Sequence, residues 1–476
     1  MKRRSFFKKG ALATLGGVLI SPFDLRANAV KEEFRGKKAK NIIYMVSDGM
    51  SSGTLAMADL YSRRILGKPS NWINLYQQNL ATKALMDMQS LNSVVTDSAA
   101  ASSSWGGGYR VPNGRLNIGA NGEVYTPILQ KFKAGGKKVG CVTTVMITHA
   151  TPAGFCVNSK ARNAQPEIAE KYLDLRFDVM MGGGDDYFSP DHRKEKRDLY
   201  KEFLNSGFTV ARDKVQMQKA PKNKPLLGVF DSQGLPYSLD YKYDKALHNR
   251  PTLAEMTRKA IELMKDHKEG FVLQVEGGKV DWAAHGNDIG ALLFDQLAFD
   301  EAVGVAIEFA KQDKNTLVVI TTDHGNANPG LIYGKNCNDN FDNLQHFRHT
   351  NEWVLNNILP ESSTSFIKDI MAENFGNMKL TDEQAKALQA YYLDKGKEDG
   401  LYNHKHLPFR LLAEIQKEHT SVGWISMNHS SDYVELAMFG PGSEKLKPFI
   451  HNYEMHNFLL EAAEMESKYF NKKQTY

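Results

Sequence analysis

Four acidic residues and four histidines flank the apolar runs of this chain in combinations that bind cations. In Glu276-Gly277-Gly278-Lys279-Val280-Asp281-Trp282-Ala283-Ala284-His285, Asp281 and His285 are four residues apart, so a helix would set them on one face. A carboxylate beside an imidazole suits Zn²⁺, and Glu276, at the end of an apolar run, offers oxygen to a harder cation. Asp323-His324 follows a second run, where a turn would aim both side chains at one ion. Asp48 follows a third, NIIYMV, and His429 precedes Ser430-Ser431-Asp432. Taken singly, each has a commonplace reading as a cap acid, a surface histidine or a solvated turn.

A nucleophile is available in Thr96-Asp97-Ser98-Ala99-Ala100-Ala101-Ser102-Ser103-Ser104. Asp97 and the small residues after it suit a helix start, which places Ser98 where free N–H groups and the helix dipole favour an anion. A metal beside the hydroxyl would lower its pKa. Arg162, in Asn158-Ser159-Lys160-Ala161-Arg162-Asn163, has the planar fork that grips phosphate oxygens in pairs. The competing reading is a packed small-residue helix and a plain surface charge.

These groups need elements to hold them. Strand-length apolar runs recur at Asn41–Val46, Val139–Val145, Phe177–Met181, Phe271–Val275, Thr316–Ile320 and Tyr433–Phe439, with helical spacing over Thr252–His267 and Asp295–Gln312 between them. Near-continuous β-branched runs alternating with helices predict an α/β fold, a doubly wound and mostly parallel central sheet flanked by helices. Such sheets gather function at the carboxyl ends of their strands. There lie Asp48, the Thr148-His149-Ala150-Thr151 string, Glu276 and Asp323-His324. Residues 325–427 lack strong strand runs and read as a largely helical insertion before the last core strand. Residues 185–250 read as a loop-rich second excursion.

The chain has 476 residues and a formal charge of +5, with ordinary apolar content and 3 cysteines. That excludes a disordered tail, a disulfide scaffold and, with no apolar run of roughly 18 residues, a polytopic membrane protein. The odd count of Cys141, Cys156 and Cys337, without a C-x-x-C, predicts buried thiols. The charge is local. MKRRSFFKKG, an apolar stretch from Ala11 to Ile20 and Ala27-Asn28-Ala29 follow the order of a cleavable export signal over residues 1–29. Arg3-Arg4-Ser5-Phe6-Phe7-Lys8 resembles a twin-arginine signal, with a Sec signal as the alternative because Lys2 precedes the pair. The segment holds six basic residues and one acid, so the rest of the chain has 54 of each sign and no formal net charge. The expected location is periplasmic or extracellular.

The order of VSDGM, VTDSAAA, THATPAG, MGGGDDYF, GVFDSQGLPYSLD, VEGGKVDWAAH, TTDHGN and NHSSDYVELAMFGPG resembles the alkaline phosphatase family of the alkaline phosphatase/sulfatase superfamily. The resemblance implies one catalytic domain over residues 30–476 and a metal-dependent phosphomonoesterase with a phosphoserine intermediate at Ser98 and an alkaline optimum. It implies one Zn²⁺ on Asp281, His285 and His429, a second on Asp48, Asp323 and His324, and Mg²⁺ on Asp48, Thr151 and Glu276. Arg162 would clamp phosphate. Some family members carry Asp and Lys where this chain has His149 and Trp282. A neutral imidazole weakens a hard Mg²⁺ site, so Co²⁺ or Zn²⁺ are alternatives there, with His149 and Trp282 as third-metal or outer-shell residues and His149 acting through water or as a direct ligand. The implied partners are small phosphate monoesters, and many relatives are homodimers. The rival readings are a phosphodiesterase of the same superfamily and a non-catalytic exported phosphate- or metal-binding protein. A sulfatase would need a C-x-P-x-R or S-x-P-x-R motif, which Cys156-Val157-Asn158-Ser159-Lys160 does not supply. No basic-aromatic patch supports nucleic-acid binding.

Overall fold

The computed structural model describes residues 32–393 and 397–472, so the export signal expected over residues 1–29 lies outside the described residues. The strands, in chain order, are β1 Asn41–Ser47, β2 Thr82–Asp87, β3 Lys138–Met146, β4 Val179–Gly183, β5 Thr209–Ala211, β6 Leu226–Val229, β7 Phe271–Gly277, β8 Thr316–Thr321, β9 Gly325–Asn326, β10 Gly330–Leu331, β11 Val422–Gly423, β12 His429–Ser430, β13 Val434–Phe439 and β14 Phe449–His451. A ten-stranded sheet runs in the order β14-β2-β13-β8-β1-β7-β3-β4-β6-β5. Only β13 runs against the rest, antiparallel to both β8 and β2. All six expected strands are present.

Both faces of the sheet are covered, which is why its central strands read as near-continuous apolar runs. Every residue of β1, β7 and β8 is buried. Alternate side chains of β1 feed two cores. Ile43 and Met45 pack with Met256 and Ala260 of the helix Leu253–Met264 and with Phe299 and Val303 of the helix Ile289–Asp313. Ile42, Tyr44 and Val46 pack with Trp105, Phe132 and Phe155 on the other face. Each such side chain contributes about 1.5–3 kcal/mol on burial. Thr252 and Glu255 start the first helix with reciprocal bonds, Glu255 N–H to Thr252 Oγ1 at 3.3 Å and Thr252 N–H to Glu255 Oε2 at 2.9 Å.

Register makes the sheet a platform. Val46 of β1 is level with Glu276 of β7 and with Thr321 of β8, while Thr143 of β3 is level with Glu276. Asp48, Glu276 and Asp323 therefore emerge at one edge. Four strands carry no legible run. β5 and β6 have three and four residues and lie inside the segment expected to be loop, where they extend the parallel edge. β2 is half exposed, with Leu85 on its open face, and β14 is a three-residue edge strand. Between β8 and β13 stand the helices Cys337–Asp342, Asn351–Asn356, Thr364–Asn374, Asp382–Leu393 and Phe409–Thr420. Two short ladders close this stretch, β10 with β11 and β9 with β12. The second pairs His429 with Asn326, so the chain returns beside His324.

Candidate metal centre

At the carboxyl edge of the sheet, three sets of side chains converge: Asp281, His285 and His429; Asp48, Asp323 and His324; and Asp48, His149 and Glu276. In each set the offered ligand atoms lie within 4.8 Å of one another. The elements dictate this. Asp281 and His285 stand one turn apart on the helix Lys279–His285, with 3.5 Å between Oδ2 and Nε2. Asp48 leaves β1 into a turn that only glycine serves. Gly49 has φ +68°, and a Cβ there would sit 2.6 Å from an Asp281 oxygen. The Gly49 N–H donates to Asp323 Oδ1 at 3.0 Å, tying the ends of β1 and β8 together.

Hydrogen bonds on one ring nitrogen set the role of the other. His285 Nδ1 donates to the Met427 carbonyl at 2.7 Å, His429 Nδ1 to that of Thr96 at 3.0 Å and His324 Nδ1 to that of Gly325 at 3.3 Å. A carbonyl only accepts, so in a neutral ring the lone pair is left on Nε2. Those lone pairs face inward: Nε2 of His285 and His429 are 3.1 Å apart, and Nε2 of His324 is 3.2 Å from Asp323 Oδ2.

His149 obeys the opposite rule. Arg162 Nη2 stands 3.2 Å from its Nε2, and the Tyr402 hydroxyl 3.1 Å from the same atom. Guanidinium only donates, so Nε2 accepts and Nδ1 carries the hydrogen. Burial and the Arg162 charge push the His149 pKa down to about 3, which keeps the ring neutral. Arg162 is itself aimed by Asp97, at 3.0 Å. Asp97 also caps its helix by accepting from the Ala100 N–H at 2.9 Å, and it takes the Gly114 N–H at 2.9 Å.

Ser98 opens the nine-residue helix Ser98–Gly106, and its Oγ lies 3.2 Å from His324 Nε2. Thr151 Oγ1 donates to Asp48 Oδ2 at 3.3 Å, and Thr143 donates to Glu276. Asp281 accepts from Asn326 Nδ2 at 2.7 Å.

The donor set fits cations. Asp48, Glu276, Asp281 and Asp323 are all at most 1% exposed, and uncompensated buried charges are costly by several kcal/mol each. Burial, with the neighbouring carboxylates, drives Asp48 well above the usual range and raises Asp323 to about 6. Burial raises Glu276 to about 7, against the pull of Thr143. Asp281 goes the other way: burial is outweighed by His285 and His429, which hold it well below the usual value. Asp48 Oδ1, Asp323 Oδ2 and Glu276 Oε1 are buried without a hydrogen-bond donor. Oxygens of that kind, clustered with imidazole lone pairs, are what divalent ions bind.

Every candidate residue named from the sequence lies in or beside this cluster. Trp282 is stacked on Tyr402 with centroids 4.5 Å apart and packs edge-on to His149 at 6.3 Å. Tyr402 itself was not foreseen. It sits at φ +65° between two helices, and 253 residues separate it from the histidine it touches. No spacing signal could have found it.

Comparison with known proteins agrees with the geometry. The family model described as "Alkaline phosphatase" matches residues 39–465. Alkaline phosphatase 4 of Bacillus subtilis (strain 168) is 31% identical, over 96% of this chain and 98% of its own length. The crystal structure of Thermus thermophilus alkaline phosphatase superposes with a TM-score of 0.83 at 31% identity, covering 92% of this chain and 94% of that one. The cold-active enzyme from Shewanella sp. shares the fold, with a TM-score of 0.76 at 23% identity over 89% of this chain and 99% of that one. Among the described residues, no helix is long and apolar enough to cross a membrane. A carboxylate–histidine cluster built for divalent ions, with a serine at its centre and a match across nearly the whole chain, identifies a metal-dependent phosphatase that belongs to the alkaline phosphatase family.

Proposed function

We propose that this chain hydrolyses phosphate monoesters to an alcohol and inorganic phosphate through a phosphoserine at Ser98, with an alkaline optimum. The observation that carries the reading is the placement of Ser98 Oγ, 3.2 Å from His324 Nε2 at a helix start, beside cation-ligand sets that share Asp48. Asp281, His285 and His429 would hold one Zn²⁺, and Asp48, Asp323 and His324 a second. Asp48, Thr151 and Glu276 would hold Mg²⁺, with Co²⁺ or Zn²⁺ as alternatives and with His149 acting through water, because its Nε2 is committed to Arg162 and Tyr402. Bound there, the cations would lower the pKa of the serine hydroxyl and balance charge on the leaving and attacking oxygens.

The chain's own groups do the rest. Arg162, held by Asp97, turns its fork to two phosphate oxygens. Ser98 Oγ attacks phosphorus in line as the ester oxygen departs. Water then cleaves the serine ester, which restores Ser98 and frees phosphate. Both deprotonation of that water and release of phosphate favour higher pH. We further propose export by the twin-arginine route, cleavage after Ala29, a periplasmic or extracellular location, and a homodimer.

The test is hydrolysis of an aryl phosphate after chelation, then with Zn²⁺, Mg²⁺ and Co²⁺ restored singly and together. Acid-quenched samples are searched by mass spectrometry for phosphate on the Ser98 peptide. Turnover that survives chelation, or full turnover by Ser98→Ala with its cations retained, would sink the reading.

A further inference from the structure

Beside the ligand cluster opens a cavity of 870 Å³ whose wall includes Arg162, Trp282 and Tyr402, together with Gly234, Tyr237 and Lys279. Lys279 begins the helix that carries Asp281 and His285, and it is only 6% exposed. Its Nζ lies 3.5 Å from the centroid of the Tyr237 ring and 4.5 Å from that of Trp282. Among the described residues this ammonium makes no ion pair and no hydrogen bond; the two rings are its contacts.

Burial works against its charge, and Glu352, Asp295, Asp240 and Asp231 act in its favour from further off. Three of them are engaged elsewhere: Asp295 accepts the Ser238 N–H at 3.0 Å, Asp240 the Thr350 hydroxyl at 2.9 Å, and Asp231 pairs with Arg250 at 3.0 Å. Glu352 is exposed. They balance the charge at a distance and leave its N–H groups unmatched. Two aromatic faces stabilise a cation, but an ammonium has three donors and no acceptor.

The wall is also closely packed. A Cβ on Gly234 would stand 3.0 Å from the Trp282 ring and 3.3 Å from Lys279 Cδ, so the Gly234–Tyr237 turn packs directly on the lysine stem. The Lys279 N–H is fixed to Thr144 Oγ1 at 3.0 Å. This is the GVFDSQGLPYSLD stretch, which the phosphoryl-transfer steps leave unused.

We propose that Lys279 is a second anion site of the substrate pocket, and that the preferred substrates are phosphate monoesters whose alcohol carries a further anionic group, a carboxylate or a second phosphate. The inference rests on the phosphomonoesterase reading. Arg162 takes the phosphate to be transferred, and Lys279 takes the distal anion across the shared cavity. A donor-only group held in a closely packed wall selects a ligand that supplies the missing acceptor.

The test compares kcat/KM for 3-phosphoglycerate and glycerol 3-phosphate, which are alike in size and differ in a carboxylate. The ratio cancels any general loss of activity in a variant. The native enzyme is expected to favour 3-phosphoglycerate by at least about tenfold, the scale of one charge-assisted hydrogen bond. Lys279→Met brings the ratio near one, and Lys279→Arg keeps most of it. A native ratio at or below one overturns the proposal, and so does a ratio that Lys279→Met leaves unchanged. Lys279→Gln stands in if the methionine variant fails to fold, and the native ratio decides if neither variant folds. An aryl phosphate is measured in parallel. If it turns over while the ratio is one, only the anion site fails; if none of the three substrates turns over, the phosphatase reading fails with it.

Discussion

The two sides of the ligand cluster are built from the same residue types and wired in opposite ways. On one side, His285, His324 and His429 each spend Nδ1 on a backbone carbonyl and turn Nε2 inward. On the other, His149 spends Nε2 on Arg162 and Tyr402. A backbone carbonyl cannot move without moving the fold, so three histidines have Nε2 held toward the cluster. His149 instead hangs on two side chains, one of which must reach for phosphate. The lesson is that residue type proposes a ligand, and the partner on the far nitrogen decides it.

The largest expected effect is at the point where the two sides meet. Ser98→Ala should lower kcat by about 10³-fold or more while cation content, measured by elemental analysis, stays at the native level. Next comes the locked side: His285→Ala removes one of three ligands and should lower kcat/KM by about 10²-fold, with partial recovery at high Zn²⁺. On the loose side the effect should reverse sign. His149→Asp places a hard ligand beside Asp48 and Glu276, so Mg²⁺ affinity from activation titrations should rise about tenfold. An unchanged Mg²⁺ affinity would contradict this difference between the two sides.

The cluster also predicts a pH dependence. Without cations, burial raises Asp323 to about 6 and Glu276 to about 7. Raised carboxyl values favour the cation-free fold fully below the ordinary range near pH 4, and that contribution is lost as pH rises through 6 to 7. Bound cations remove the penalty. The gap in Tm between metal-loaded and chelated protein should therefore widen from pH 5 to pH 8; a gap that narrows would contradict the arrangement. The smallest effect is expected at the roof. Tyr402→Phe keeps the ring stacked on Trp282 and removes one bond to His149, so KM should change by about two- to fivefold with kcat nearly constant.

Legibility followed range along the chain. The helix that carries Asp281 and His285 could be read because residues four apart share a face wherever a helix forms. The strands β1, β3, β7 and β8 could be read because burial on both faces leaves mostly apolar residues in their runs. β5 and β6 could not, because three or four residues hold too little periodicity to rise above the loops around them. The carboxyl-edge placement of Asp48, Glu276 and Asp323 followed from the parallel fold alone. His429 was visible as a residue, but its delivery to the cluster depends on the two-residue ladder with Asn326.

What the sequence by itself determined is the inventory: which acids, imidazoles, hydroxyl and guanidinium exist, and which strand ends and helix faces present them. Those are local facts, set by periods of two and 3.6 residues. Only the tertiary structure decided which nitrogen each histidine offers, that Tyr402 reaches His149 from 253 residues away, and that Lys279 stands in a cavity wall against two aromatic rings. Those outcomes depend on hydrogen bonds and packing between elements remote in sequence, and no spacing within one element encodes them.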